Sequence, residues 1–415
     1  MTQPRILLYS HDTYGLGHLR RSLAIAHSLA AHIPHSRQLL VTGSTVAGAF
    51  ELPARLDTLK LPSLSKRSSG EYMPRNLPLS LDETIRWRAE MIQQAAWHFK
   101  PDLLLVDKAP VGVQGELLPA LQLLKQELPE TRIVLGMRDI EDSPEITRAE
   151  WDQNGIYPVL ENEYDAILLS GQRSVFDPAA SYGLSPSIAA KIVECGYLER
   201  PRPSQAPRLV RRELGIGEEP FIVVTAGGGG DGFALVDAAL AMYESGLAAG
   251  SRPLFVTGPL MPQQHRKSLA HRAAAAGLDL LEFTPDLTKY LAAADLVVSM
   301  AGYNTVCEIL SFQKRAVLVP RRQVRQEQKI RAAALAEMGL ARVLDPGSLT
   351  PGTLWQAVEA SLAGDPPQAA LNMDGLANAT RAISAILKAP ASRSYTLPAG
   401  LFSAGVPVSI QRPQR

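Results

Sequence analysis

The chain has 415 residues, enough for two cores, and its 46% hydrophobic and 20% charged content is that of a globular enzyme. With 42 basic against 41 acidic residues, a net charge of +1 excludes the basic excess of a general nucleic-acid binder. Cys195 and Cys307 form no disulfide or metal pattern, which points to a reducing compartment.

Short apolar runs alternate with helical periodicity, the pattern of parallel strands joined by crossover helices. Strands are expected at 5–9, 38–42, 102–106, 132–136, 166–169 and 192–194, with helices such as 17–31 and 81–99 between them. Segment 61–88 holds Lys66, Arg67, Arg75, Arg86 and Arg88 among apolar residues. It reads as a solvated loop and helix face, or as a surface for an anionic membrane. Pro201, Pro203 and Pro207 break the pattern, so a linker is placed at 201–208 between domains at 1–200 and 209–389. The second domain restarts with strands at 221–225, 252–257, 280–283, 296–299 and 316–319, followed by a helix near 375–387. A tail at 390–415, rich in Pro, Gly and Ser, is expected to be loosely ordered. The expected fold class is therefore α/β: two Rossmann-like domains whose parallel sheets present a ligand cleft at their strand ends. No run approaches the ~18 apolar residues of a membrane span, and the first residues lack the apolar region of a signal peptide. The expected location is the cytoplasm.

Four stretches carry candidate chemistry. After the first strand comes Tyr14-Gly15-Leu16-Gly17-His18-Leu19-Arg20-Arg21. Glycines there let the backbone approach a ligand, and His18 in the first helical turn can take a proton or bind an anion. A tight turn with a capping histidine is the plain alternative. Arg20 stands where a dinucleotide fingerprint has its third glycine, and neither glycine-rich loop continues as a Walker motif. Dehydrogenases and P-loop enzymes are thereby disfavoured.

The second stretch, Thr225-Ala226-Gly227-Gly228-Gly229-Gly230-Asp231-Gly232, again follows a strand. Such glycines suit phosphate cradled by backbone N–H groups, and a flexible loop is the alternative. The third, 295–308, reads as strand, glycine turn at Gly302-Tyr303, and a helix capped by Asn304 or Thr305. That amino end suits a diphosphate. Glu308, one turn on, can accept from a ribose, although spacing alone favours an acidic residue completing a helix turn. The fourth, 320–328, sets Glu327 and Gln328 after three arginines, either as a solvated helix start or as contacts to sugar hydroxyls and phosphate. No Asp-x-Asp motif is present. Asp139-Ile140-Glu141-Asp142 is acidic enough for a cation but reads more simply as a polar loop.

Together these stretches resemble the GT-B glycosyltransferases, and within them the MurG-like bacterial branch of glycosyltransferase family 28. The resemblance covers the architecture to about residue 387 and is motif-specific over 283–328. It implies a metal-independent, inverting transfer from a UDP-sugar donor, with no cofactor, onto a hydroxyl acceptor that is a glycan or lipid-linked. Phe283 and Thr284 would lie beside the base, Glu308 on the ribose, and Glu327 and Gln328 on the donor sugar, where the family more often has Gln-Gln. The diphosphate would rest on Gly302–Thr305 and on the loop of Gly227, Gly228 and Gly229. His18 is the first choice for the general base and Asp107 the second. Gly15, Gly17, Arg20 and Arg21 would meet the acceptor, and their departure from the family sequence suggests an anionic one. The domains would close about 199–207, and the inner membrane face is open to peripheral contact. Two rivals are an epimerase or hydrolase using the same donor pocket, and a non-catalytic nucleotide-sugar sensor.

Overall fold

The computed structural model describes residues 3–11, 17–66, 71–322, 325–367 and 371–389. In chain order the first part comprises β1 (Arg5–Ser10), α1 (Gly17–His32), β2 (Arg37–Thr42), β3 (Leu56–Lys60), β4 (Leu64–Lys66), β5 (Tyr72–Pro74), α2 (Leu81–Phe99) and β6 (Leu103–Asp107). It continues with α3 (Leu118–Glu127), β7 (Arg132–Arg138), α4 (Pro144–Gln153), α5 (Ile156–Asn162), β8 (Ala166–Ser170), α6 (Pro178–Ser181), α7 (Pro186–Ala190) and β9 (Ile192–Glu194). A seven-stranded sheet runs in the order β3-β2-β1-β6-β7-β8-β9, each neighbouring pair parallel.

The central strands β6 and β8 are buried at every residue, as parallel strands covered on both faces must be. Alternation along β1 divides two cores. Leu7 and Tyr9 join the side chains of α2 and α3, while Ile6 and Leu8 join those of α1. The first core also buries charge. Arg88 from α2 donates through Nη2 to Glu116 Oε1 at 2.7 Å, and the Tyr9 hydroxyl donates to the same oxygen at 2.5 Å. Helix α2 starts in a capping box, with Ser80 accepting from the Glu83 N–H and Glu83 accepting from that of Ser80. It stops where Lys100 turns left-handed at φ 48°.

The second part contains α8 (Pro207–Glu213), β10 (Phe221–Thr225), α9 (Phe233–Glu244), β11 (Arg252–Val256), α10 (Gln263–Ala275), β12 (Asp279–Leu281) and α11 (Leu287–Ala293). Then follow β13 (Leu296–Ser299), α12 (Tyr303–Ser311), β14 (Arg315–Leu318), α13 (Glu327–Glu337), β15 (Arg342–Val343), α14 (Pro351–Leu362) and α15 (Gly375–Lys388). Its six-stranded sheet has the order β12-β11-β10-β13-β14-β15, parallel throughout.

The chain divides into two compact units, and the division corrects the expected boundaries. Residues 140–143 and 198–373 form one unit, and residues 374–389 belong with the first. Helix α15 is therefore not part of the second domain, as 209–389 would have it. Its Ala379, Ala382, Ile383 and Ile386 complete the core that β1 shares with α1. Asn378 donates to the Cys195 carbonyl at 2.7 Å, and the Thr380 and Ser28 hydroxyls bond at 2.7 Å. The linker is also shorter than 201–208, because α8 already begins at Pro207, where a missing N–H costs the helix nothing. The edge strands β3 and β15 and the β4–β5 hairpin were not anticipated; all are short or polar. The tail at 390–415 lies outside the described residues.

Removing the buried Glu116 carboxylate would strand the Arg88 charge. Glu116→Ala should lower unfolding free energy by about 3–5 kcal/mol, measured as a reduced urea midpoint at unchanged slope.

Candidate functional site

In the first unit the site residues gather where β1 and β6 end. Helix α1 begins at Gly17, and His18 in its first turn places Nδ1 2.6 Å from Asp107 Oδ2. Arg21, one turn further, donates through Nε to Asp107 Oδ1 at 2.7 Å and through Nη2 to the same oxygen. Burial would raise the Asp107 pKa, but the Arg21 guanidinium and His18 outweigh it and hold the carboxyl well below its usual range. An ionised Asp107 requires the proton of the shared bond to sit on His18 Nδ1, which leaves Nε2 as the acceptor. Burial pulls His18 down to about 4 against the opposing pull of Asp107, so the imidazole is neutral at neutral pH. Its side chain is 15% exposed.

This geometry revises two expectations. Arg21 is 3% exposed and clamped on Asp107, which removes it from contact with an acceptor. Asp107 has both oxygens engaged, so it orients the histidine rather than standing in for it as base. Arg20 lies half-buried beside them, and Gly15 falls outside the described residues. One neighbour was missed. His11, just past β1, packs edge-on against His18 with ring centroids 5.4 Å apart.

In the second unit the loops after β10 and β11 interlock. Gly229 has φ 92° and Gly258 φ 87°. A Cβ on Gly229 would lie 2.4 Å from the Thr257 carbonyl oxygen, and one on Gly258 would lie 2.4 Å from that of Gly227. Only glycine fits at either place. Gly227, also left-handed at φ 63°, abuts the first turn of α12, where its Cβ would meet Thr305 Oγ1 at 3.5 Å. The Gly227 and Gly229 amides are used inside the loop, while those of Gly228 and Gly230 bond to no described residue.

Gly302 is the N-cap of α12 and supplies no side-chain bond. The expected capping by Asn304 or Thr305 does not occur, because both already lie inside the helix. Asn304 instead accepts from Arg200 Nη2 at 2.7 Å. Arg200 is 6% exposed, its own N–H donates to Ser311 Oγ at 2.9 Å, and its Nε bonds to no described residue. It forms no ion pair with a described carboxylate. A buried guanidinium at the positive end of a helix is an electrostatic surplus that an anion would relieve. Arg200 escaped sequence reading because it stands among the prolines taken for a linker.

Around this pole, Glu308 sits on the buried face of α12 at 2% exposure, and Tyr303 lies over buried Arg331. Gln328 Oε1 accepts from the Arg321 N–H at 3.0 Å, and its side chain approaches Gly302. Arg321 pairs with Glu327 and with Asp231 of the glycine loop, each at 3.4 Å. Phe283 stands 53% exposed beyond β12, in the loop whose Glu282 carbonyl accepts from Gly258. Thr284 accepts from the Asp286 N–H at 3.2 Å. In the acidic run, Asp139 accepts from the Tyr197 hydroxyl at 3.4 Å, and Asp142 Oδ1 accepts from the Ser143 and Gln326 N–H groups at 2.8 and 2.7 Å.

Comparison with known proteins agrees with this architecture. Residues 222–385 match the family model of the glycosyltransferase family 28 C-terminal domain. The UDP-N-acetylglucosamine–N-acetylmuramyl-(pentapeptide) pyrophosphoryl-undecaprenol N-acetylglucosamine transferase of Moorella thermoacetica is 28% identical over 358 residues, 82% of this chain and 86% of that one. The protein of that name from Bacillus licheniformis is 29% identical over 147 residues, 35% of this chain and 40% of its own length, so the aligned part spans less than half of that relative. The solved glycotransferase of kitacinnamycin superposes with a TM-score of 0.59 at 15% identity, covering 93% of this chain and 100% of its own. MurG of Acinetobacter baumannii gives 0.55 at 15% identity, covering 92% and 99%. The chain therefore has the GT-B fold, and its residues 222–385 resemble the C-terminal domain of glycosyltransferase family 28.

Proposed function

We propose that this protein transfers a sugar from a UDP-sugar onto a hydroxyl of a glycan or lipid-linked acceptor, by single displacement with inversion and without a metal. The observation that carries the donor half is buried Arg200, bonded to Asn304 at the amino end of α12 and lacking a described carboxylate partner. Charge develops on a leaving diphosphate as its bond to the anomeric carbon breaks. The α12 amides, Arg200 and the spare N–H groups of the glycine loop are preorganised to meet that charge. Glu308 would take the ribose, Phe283 and Thr284 the base, and Glu327 and Gln328 the sugar hydroxyls.

On the acceptor side, His18 Nε2 takes the proton of the attacking hydroxyl, while Asp107 fixes the tautomer and stabilises the imidazolium formed. Gly17 lets the α1 start approach the acceptor, with Arg20 at its edge. The Moorella relative is named for a pyrophosphoryl-undecaprenol substrate, which favours a lipid-linked acceptor here. No helix among the described residues is long and apolar enough to cross a membrane. Leu77, Leu79, Trp87 and Trp97 are exposed along the chain entering and forming α2, beside the exposed bases Arg75 and Arg86. That combination supports a cytoplasmic protein with peripheral contact at the inner membrane face.

Without added metal, UDP and its sugar conjugates should raise the melting temperature, by mass action worth about 2.7 kcal/mol at 100 times the dissociation constant. Arg200→Ala and Glu308→Ala should lose most of that shift. No stabilisation by any nucleotide would remove the donor reading.

Histidine NMR should find His18 neutral with its proton on Nδ1 at pH 6, since its pKa is lowered to about 4 rather than raised. Charging should occur only as pH falls through that value. Asp107→Asn removes the group that opposes the lowering, so the midpoint should fall further and the Nδ1 tautomer should be lost. His18→Ala should reduce turnover by about 10²–10⁴-fold and leave the UDP shift intact.

For the membrane contact, Trp fluorescence should shift to the blue with vesicles containing phosphatidylglycerol. Replacing Trp87 and Trp97 by serine should abolish sedimentation with those vesicles; unchanged sedimentation would reassign the exposed face to solvent.

A further inference from the structure

His11 has no place in the scheme above, yet it occupies its centre. It follows β1 directly and is 8% exposed, and its Nδ1 is buried without a hydrogen bond to any described residue. Its ring meets that of His18 edge-on, at 5.4 Å and 75°. A phenylalanine would make the same ring contact without leaving a buried polar atom unpaired, so packing does not account for the imidazole. Its surroundings are mixed in charge. His18, Lys108 and Arg138 act on it from one sign and Asp107 from the other. Burial first, and then those three groups, hold it well below the ordinary imidazole range. It therefore carries one N–H and one lone pair at neutral pH. Two neutral imidazoles stand side by side at the carboxyl end of a central parallel strand, where α/β folds bind ligands.

We propose that His11 is a substrate-contacting residue: with His18 it receives two neighbouring hydroxyls of the acceptor, so that the acceptor is a vicinal diol at the position of attack. This rests on the transfer reading. His18 Nε2 takes the proton of the attacking hydroxyl. His11 Nδ1 hydrogen bonds the adjacent hydroxyl and exchanges no proton. The two rings lie 5.4 Å apart between centroids and cross at 75°, a spacing that leaves room for two oxygens on adjoining carbons.

The full chain, labelled with 15N-histidine, tests this with three probes: trans-1,2-cyclohexanediol, cyclohexanol and inorganic phosphate. The diol should shift the nitrogen resonances of both His11 and His18, and cyclohexanol those of His18 alone. The diol should bind at least about fivefold more tightly than cyclohexanol, and His11→Phe should bring the two within about twofold. The Phe variant should keep His18 in its Nδ1 tautomer, which separates a lost contact from a lost fold. His11→Asn, which retains a hydrogen-bonding group, should recover part of the preference. A diol preference left unchanged in His11→Phe, an unmoved His11, or a His11 that answers to phosphate before the diol would overturn the proposal. UDP stabilisation on the same samples keeps the two readings apart. A lost diol response with UDP binding intact removes this inference alone. An intact diol response without UDP binding retains the diol site and removes the transfer reading.

Discussion

The Asp107 carboxylate, at the end of β6, binds Arg21 and His18 from the first two turns of α1. Helix α1 crosses over from β1 to β2, and this buried ion pair ties its first turns to β6, on the other side of β1. The same bonds decide the chemistry of the edge. They keep Asp107 ionised, place the proton on His18 Nδ1 and leave Nε2 as the neutral acceptor. They also consume Arg21, whose charge is satisfied before any ligand arrives. A buried pair of this kind adds little net stability but fixes one arrangement, because any other would leave a charge unpaired in a dry place.

The second unit is organised by the opposite condition. Its glycine loops are locked by carbonyl contacts that exclude any side chain at Gly229 and Gly258. Arg321 is held between Asp231 and Glu327. Arg200 is instead buried beside a helix start, its side chain bonded to the neutral amide of Asn304 and forming no ion pair with a described carboxylate. One unit therefore presents a neutral, proton-accepting edge and the other a positive pole.

Much of this was legible in the sequence. The strands at 192–194, 221–225 and 296–299 match their expected limits, because continuous apolar runs between turn residues leave few alternatives. The polar edge strand β3 and the two-residue β15 lack that signal. His18 stands out as a candidate from its place after a strand and two glycines. Its coupling to Asp107, 89 positions away, depends on strand order, which no local pattern records. Arg21 was assigned to a ligand because a buried arginine and an exposed one look alike in a sequence. Arg200 was hidden for the opposite reason: its neighbours are prolines, and a proline-rich stretch reads as a tether even where one side chain folds inward. The last helix was misplaced because adjacency in sequence is the default guess for adjacency in space.

The return of α15 to the first unit makes residues 198–373 an insertion, with the Glu199 N–H bonded to the Met373 carbonyl at 3.2 Å across its neck. This has a consequence for synthesis on the ribosome. The sheet made first cannot finish one of its two cores until Ala379, Ala382, Ile383 and Ile386 have been translated. The insertion, though made later, holds all its strands by Val343 and can close beforehand. The nascent chain thus reverses the usual order in which N-terminal domains mature first. Until the final helix emerges, the apolar side chains that it covers beside α1 and β8 stay exposed on the nascent chain.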